Sequence, residues 1–284
     1  MSKLLLKGYN YKGRKPAPEL HEQIYQMVIL LQDSEFVCER KWGVELQTAL
    51  GKELGVEPGQ IRTIKAMMCQ LGVISDSTLN RSKVVDCKNI LTKNGEVFIL
   101  MCKLQQDVKS LAPDDPNKSK LTRDLHELYR CYYCGVACDY YYPEGPRGEG
   151  GKLHLLRTML KVLRKYKQLD YWELYLVMTL ITTDDNAEEY DELDEAIRNK
   201  RLGNVVYKKN DDSPQVNKLA HTYLLAYLEI AGFIKVTGKG EHLKVVEGDV
   251  FPAIKEEVLS KNFLDKFYVN NAMTDGAMHW LWSF

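Results

Sequence analysis

The sequence predicts a mainly helical protein of the α+β class, with small β hairpins that follow helices. Two observations support this class. Apolar residues recur with a helical period in most segments between residues 18 and 231. At Leu71-Gly72-Val73-Ile74 and again at Ala231-Gly232-Phe233-Ile234, glycine ends a helix and an apolar β-type run follows. This weak repetition indicates two units of one architecture along the chain.

The composition excludes several classes of protein. The chain has 284 residues, 45% hydrophobic and 27% charged, which is typical of a globular protein with two domains. No apolar run approaches the roughly eighteen residues that span a bilayer, and the first apolar run is too short for a signal peptide. Seven cysteines without a signal peptide indicate reduced thiols, so we expect a cytoplasmic protein. We expect no association with a membrane.

The charges are unevenly distributed although the net charge is zero. Residues 184–195 carry eight acidic side chains and no basic ones, which we interpret as a solvated face. Residues 1–18 have no acidic side chain, and their five basic side chains are Lys3, Lys7, Lys12, Arg14 and Lys15. One side of the protein is therefore expected to face an anion.

The elements of the first half predict a helix-turn-helix behind an extended arm. Residues 1–17 form the basic arm, because they lack a helical period and contain Gly8, Gly13 and Pro16. A helix over 18–31 follows, and another covers 44–54. Gly55 ends the latter, and Val56-Glu57-Pro58 makes a tight turn into a helix over 58–71. Two helices joined by so short a turn are typical of a helix-turn-helix.

A two-stranded wing is predicted after this motif. Residues 83–88 and 89–92 are strand candidates, and Asn94-Gly95 is interpreted as a turn that returns the chain to a helix. A helix-turn-helix that enters such a wing is a winged helix, so residues 18–105 are assigned to winged-helix domain 1. Residues 106–150, with a helix over 121–133 between two loops, are assigned to a linking subdomain.

The second half, residues 151–284, is assigned to winged-helix domain 2. Helices are predicted over residues 153–166, 171–180 and 214–231. A hairpin joins residues 233–236 to 242–246 through Gly238-Lys239-Gly240. The helix before this hairpin is mostly apolar, with Tyr223, Leu224, Leu225, Tyr227 and Leu228. It is therefore a poor candidate for contact with DNA bases.

The segment from Leu54 to Thr63, closed by Leu71-Gly72-Val73-Ile74, resembles the winged-helix superfamily. A basic arm before two winged helices and a linking piece is similar to the recognition regions of Type IIS restriction endonucleases. The resemblance implies a monomeric module, without a catalytic centre or cofactor, that binds a short asymmetric site in double-stranded DNA. In that family a separate domain, here expected outside this chain, carries the Mg²⁺-dependent nuclease.

A recognition helix in the major groove presents polar side chains opposite its core face, near its N-terminus. The residues predicted to contact bases are Gln60, Arg62, Thr63 and Lys65 of the helix, with Asn10, Lys12 and Arg14 of the arm. Those predicted to contact the DNA backbone are Lys7, Tyr9, Tyr11, Lys15, Lys41, Trp42, Thr78, Asn80, Arg81 and Lys83.

Two patterns offer weaker alternatives. A nuclease of the PD-(D/E)xK type fits the spacing of Asp86 and Lys88 with Asp76 upstream, or of Glu39 and Lys41, but the first pair lies in the predicted wing. A zinc site fits the spacing of four residues, which are His126, Cys131, Cys134 and Cys138. All four lie within thirteen residues that are expected to be largely helical, so packing cysteines are favoured and no metal is expected.

Two other functions compete with the recognition module. A winged-helix transcriptional regulator is expected to dimerise and to prefer a palindromic site. A protein-interaction scaffold would use the apolar face formed by Tyr223, Tyr227 and Leu228.

Overall fold

The computed structural model describes residues 13–75, 77–139, 153–184, 186–207 and 220–249. It is mainly helical with a small three-stranded antiparallel sheet, in agreement with the predicted α+β class. The described chain divides into two compact units, and the boundary falls between Tyr132 and Tyr133 within one helix. We call them the N-terminal and the C-terminal unit. No described helix has the length and hydropathy that a membrane span requires.

The N-terminal unit is built from helices. They are α1 (Pro18–Gln32), α2 (Ser34–Val37), α3 (Val44–Leu54), α4 (Pro58–Gln70), α5 (Lys93–Ser110) and the first part of α6 (Lys118–Asp139). The apolar faces of α1, α3 and α4 meet in the core, where Ile24, Leu46, Ile61 and Ile64 are buried. Repeated apolar positions three and four residues apart place these side chains on one face of each helix.

The two predicted helices and the short turn between them are present as α3 and α4. Gly55 ends α3 with φ of 65°, a left-handed conformation that glycine adopts at little cost. The amide of Val56 then donates to the Gly51 carbonyl at 2.8 Å, which closes the turn. Pro58 occupies the first turn of α4, where its missing N–H removes no helical hydrogen bond.

The predicted wing strands at 83–88 and 89–92 are wrong. In this segment the structure has only an isolated antiparallel bridge between Lys41 and Val84. The Asp86 carboxylate accepts from the Lys88 amide at 3.1 Å and from the Asn89 side chain at 2.8 Å. An aspartate that binds the backbone two residues ahead favours a turn over a strand, so β-branched neighbours do not produce a ladder here.

The Asn94-Gly95 turn is also wrong, since both residues lie within the first turn of α5. Thr92 caps this helix, and its Oγ1 accepts from the Gly95 amide at 2.9 Å. A Cβ on Gly95 would lie 2.9 Å from the Val73 carbonyl carbon and 3.1 Å from the Val73 Cα. Glycine is therefore required for the close approach of α5 to the segment that leaves α4.

His21 lies in a buried aromatic cluster of the N-terminal unit, and its side chain is nearly inaccessible. Its ring stacks on Tyr129 with centroids 4.5 Å apart, and it meets the edge of Phe98 at 5.3 Å. Burial lowers the pKa of His21 from 6.5 to about 4, against smaller opposing effects of Gln105 and Glu22. The neutral ring is thus part of the core.

We expect the N-terminal unit to lose stability as the pH falls from 6.5 to about 4. Over this range the unfolded chain binds a proton at His21 that the folded chain excludes, so stability is complete above pH 6.5. The full effect is about 3 kcal/mol. Urea unfolding at several pH values, with wild type and His21→Phe compared, measures it. Parallel pH profiles for the two proteins would contradict this assignment.

The C-terminal unit is built around three largely buried helices. Its elements are α7 (Leu155–Tyr166), β1 (Gln168–Asp170), α8 (Tyr171–Leu180), α9 (Ala187–Arg201), α10 (Ala220–Ile230), β2 (Ile234–Thr237) and β3 (Lys244–Glu247). The sheet order is β1-β3-β2, with Val245 paired to Leu169 on one side and to Val236 on the other. The predicted hairpin is thus confirmed, while β1 and α9 were not predicted.

The acidic run is only partly the solvated face that its composition indicated. Asp184 binds His154 and Arg157, Glu189 accepts from the backbone of Thr182 and Thr183, and Asp194 accepts from Tyr166 at 2.6 Å. The exposed acidic side chains of α9 are Glu188, Asp191, Glu192 and Glu195. Three of the seven described acidic side chains of the run therefore serve the packing of the unit.

Candidate nucleic-acid interface

The outer face of α4 carries the polar side chains predicted to read bases. Gln60 and Arg62 are exposed, and Thr63 is half-buried. They alternate with Ile61 and Ile64, which are fully buried, so the core fixes which side of the helix faces outward. Nη2 of Arg62 is 3.9 Å from the Cβ position of Gly59. The guanidinium therefore lies over the first turn of α4, near the N-terminal end of the helix.

Lys65, which is predicted to contact bases, points toward the segment that follows α4. Its Nζ donates to the Leu79 carbonyl at 2.9 Å and lies 5.9 Å from the centre of the Trp42 ring. Trp42, predicted to contact the DNA backbone, is only 4% exposed and packs in the core. Neither side chain extends freely from the surface.

The segment over residues 77–83, here called the basic loop, lies next to α4, and the hydrogen bond from Lys65 to the Leu79 carbonyl joins the two. Leu79 is buried, whereas Asn80, Arg81 and Lys83 are exposed. Asn80 Oδ1 accepts from the Ser82 amide at 2.8 Å and from the Ser82 hydroxyl at 2.7 Å, which gives the loop a turn of its own. Three of the predicted backbone-contacting side chains are thus presented together.

Two other residues that are predicted to contact the DNA backbone lie at or beside the ends of the basic loop. Thr78 is half-buried, and its Oγ1 is 2.9 Å from the Ser75 hydroxyl. Lys41 is exposed, and its backbone bridges to Val84 directly after the loop. Thr78 therefore supports the loop, while Lys41 adds a cation beside it.

The described end of the arm, residues 13–17 and here called the arm root, also lies against α4. The Arg14 amide donates to Met67 Sδ at 3.2 Å, and Arg14 Nη1 donates to Gln23 Oε1 on α1 at 2.7 Å. Pro16 is buried, and Lys15 is exposed. The other arm residues predicted to contact DNA lie outside the described residues, and they are Lys7, Tyr9, Asn10, Tyr11 and Lys12.

Three segments that are distant in sequence therefore meet around one helix. The outer face of α4 supplies amide, guanidinium and hydroxyl groups, which suit base edges. The basic loop and the arm root supply cations, which suit phosphates. Sequence analysis missed three residues that hold these parts in place: Met67 of α4 and Gln23 of α1, which both accept from Arg14, and Leu79, whose carbonyl accepts from Lys65. An apolar side chain flanked by polar residues, as in Thr78-Leu79-Asn80, is the only signal that marks Leu79.

Among the described residues neither alternative pattern is assembled into a site, and Asp76 and the Cys138 side chain lie outside them. Asp86 lies in the turn described above, and a hydrogen bond from Asn89 holds the pKa of this carboxyl below its usual range. Cys134 is buried, and its thiol donates to the Ala231 carbonyl at 3.4 Å. Within the described ranges no three His, Cys, Asp or Glu side chains converge as metal ligands would.

A charged cavity in the C-terminal unit was not predicted. Its volume is about 430 Å³, and it is lined by Gln168, Asp170, Glu173, Lys200, Arg201 and Lys244. Glu173 is buried and accepts from Arg201 at 2.9 and 3.1 Å, while it completes a capping box with Asp170 at the start of α8. The carboxylates are thus bound by neighbouring groups, and the cluster joins α9 to α8.

Comparisons with models of protein families, with curated proteins and with solved structures find no match to this chain. Its function is therefore inferred from the geometry of its own residues.

Proposed function

We propose that this chain binds double-stranded DNA in a sequence-specific manner, with the outer face of α4 in the major groove. One observation carries the proposal: the exposed Gln60 and Arg62 lie on a helix against which both the basic loop and the arm root are docked. A helix with base-reading side chains needs flanking phosphate contacts to set its orientation on the duplex. Both kinds of group are present around α4.

The arrangement of elements supports a winged-helix plan in the C-terminal unit, and in the N-terminal unit it supports a helix-turn-helix with a single strand-like bridge in place of the wing. In the N-terminal unit a strand-like bridge joins Lys41, just before α3, to Val84 beyond α4. In the C-terminal unit the hairpin β2-β3 follows α10, and β1 adds to the edge of β3. Helices before a hairpin whose sheet is completed by an earlier strand follow the plan of a winged helix.

Base reading is assigned to the N-terminal unit alone. The corresponding helix of the C-terminal unit, α10, buries Leu224, Leu225, Tyr227 and Leu228. A helix packed in this way cannot lay a polar face in a groove. One reading unit with different flanking segments suits an asymmetric site, as expected for the targeting module of a Type IIS restriction endonuclease with its nuclease domain elsewhere.

The burial of α10 weakens the scaffold alternative. That function rests on an apolar surface formed by Tyr223, Tyr227 and Leu228. Tyr227 and Leu228 are instead buried in the C-terminal unit. DNA binding remains the function that the exposed groups support best.

We expect Arg62→Ala to weaken binding of the preferred duplex by about 1–3 kcal/mol and to relax specificity at one base position. Binding to random duplex should change little, because a base contact adds nothing there. Fluorescence anisotropy with the selected and a scrambled duplex, at about 0.15 M salt, measures both affinities.

Arg123→Ala is the matched control, since Arg123 is an exposed arginine of α6 in the same unit. It removes the same charge from a different helix, and both affinities should stay close to those of the wild type. An equal loss of both affinities in Arg62→Ala would show that Arg62 contacts phosphate and not a base.

A further inference from the structure

Lys65 lies on α4 three residues after Arg62, so the two side chains neighbour each other along the helix. The Lys65 ammonium is turned toward the basic loop, where it donates to the Leu79 carbonyl at 2.9 Å. Its stem is half-buried, and the ammonium lies 5.9 Å from the centre of the Trp42 ring. A lysine held in this way is poorly placed to extend into a groove.

The same contact fixes the basic loop at its centre. The Leu79 side chain is 1% exposed, so it anchors the loop in the core while its carbonyl accepts from Lys65. The loop ends where Val84 bridges to Lys41 and where the Val85 amide donates to the Arg40 carbonyl at 3.1 Å. Between these two points Asn80, Arg81 and Lys83 are held facing outward.

A loop that is ordered before binding loses less conformational entropy on the DNA than one that must be ordered there. The contact between Lys65 and Leu79 therefore affects affinity without any contact between Lys65 and DNA. Loss of the contact between Lys65 and Leu79 weakens the phosphate contacts of Arg81 and Lys83. The base sequence preferred by Gln60 and Arg62 does not change.

We propose that Lys65 is a positioning residue, which holds the basic loop beside α4 so that the loop cations and the base-reading side chains meet one duplex. This inference rests on the proposed function. It replaces the base contact predicted for Lys65 from the sequence.

The test compares wild type, Lys65→Met and Lys65→Arg as full chains. Methionine keeps an unbranched apolar side chain and removes the donor, whereas arginine keeps a donor of similar reach for the Leu79 carbonyl. Lys103→Met is the charge control, because Lys103 is an exposed lysine of α5. Three quantities are measured: the motif selected from a randomised duplex library, the affinity for selected and scrambled duplexes, and the rate of trypsin cleavage after Arg81 and Lys83.

We expect Lys65→Met to select the wild-type motif and to bind every duplex about fivefold more weakly. Cleavage in the basic loop should be about tenfold faster, as expected when the opening of a segment no longer breaks a hydrogen bond to a charged group. Lys65→Arg should restore both values toward those of the wild type, and Lys103→Met should leave cleavage unchanged.

Two results overturn the inference alone. In the first, the wild type selects a motif and Lys65→Met alters it at one position, which assigns base contact to Lys65. In the second, loop cleavage does not accelerate in Lys65→Met, which shows that Lys65 does not anchor the loop. If the wild type selects no motif, the proposed function fails, and the role of Lys65 in DNA binding fails with it.

Discussion

Asp184→Ala is expected to destabilise the C-terminal unit by about 3–5 kcal/mol, because it leaves a buried cation without its acidic partner. Arg157 is 3% exposed, and its Nη2 donates to Asp184 Oδ2 at 3.0 Å. Its Nη1 is buried and has no hydrogen-bond partner in the described structure. Asp184 also accepts from the His154 amide at 2.8 Å, so it joins the start of α7 to the segment before α9.

Burial is the largest single effect and raises the pKa of Asp184, but the hydrogen bonds from His154 together with the charges of His154 and Arg157 outweigh it and hold the pKa below its ordinary value. The stabilisation is therefore complete at neutral pH and is lost as the pH falls below the ordinary range of a carboxyl group. Urea unfolding followed by circular dichroism measures the loss in Asp184→Ala at neutral pH.

Two further variants distinguish this ion pair from a general sensitivity of the segment. Asp191→Ala removes an exposed carboxylate of α9 and should change stability by less than about 0.5 kcal/mol. Arg157→Leu combined with Asp184→Ala removes both charges and should recover part of the loss. A single Asp184→Ala variant as stable as Asp191→Ala would show that the pair is exposed to water.

The second large effect is expected for Gly95→Ala, which should cost the N-terminal unit at least about 3 kcal/mol. Alanine is the better helix former by about 1 kcal/mol, so propensity alone predicts a gain. The new Cβ would instead lie 2.9 Å from the Val73 carbonyl carbon, and backbone cannot move aside as a side chain end can. The amide of Thr92 also donates to the Val73 carbonyl, at 3.1 Å, so a shift would disturb the cap of α5.

Gly59→Ala is the matched control within α4. The closest atom to its new Cβ is the end of the Arg62 side chain, at 3.9 Å, so the substitution fits. We expect a gain of roughly 0.5–1 kcal/mol from helix propensity. Thermal or urea unfolding of both variants checks the contrast. Equal stabilities would contradict the close packing of α5 on the segment after α4.

Local signals explain which elements could be predicted from the sequence. The bounds of α3 and α8 were predicted correctly, and α4 was predicted to within one residue. Gly55 and Pro58 mark the turn between α3 and α4 through their own backbone preferences. The unpredicted strand β1 has three residues and pairs with Val245, far along the chain. Such a pairing leaves no local pattern.

The unpredicted helix α9 has a different cause. Of its fifteen residues only Leu193 and Ile197 are buried apolar side chains, so it has a very narrow apolar stripe. Its position depends on ion pairs, such as that between Arg201 and Glu173, whose partners cannot be assigned from spacing.

The candidate site shows the same limit. The helical period predicts that Gln60 and Arg62 face outward, and the structure confirms it. The period cannot predict that Lys65 bends to the Leu79 carbonyl or that Trp42 is buried beneath it. Those contacts depend on how the basic loop folds back on α4, which only tertiary structure determines.

The central claim is that α4 and its flanking segments recognise a DNA sequence. Its most direct test is selection of the full chain against a randomised duplex library at about 0.15 M salt. Enrichment of one short asymmetric motif, which Arg62→Ala relaxes at a single position, is the predicted result. Weak, salt-sensitive binding without an enriched motif would contradict the claim, because cations alone bind phosphates without reading sequence.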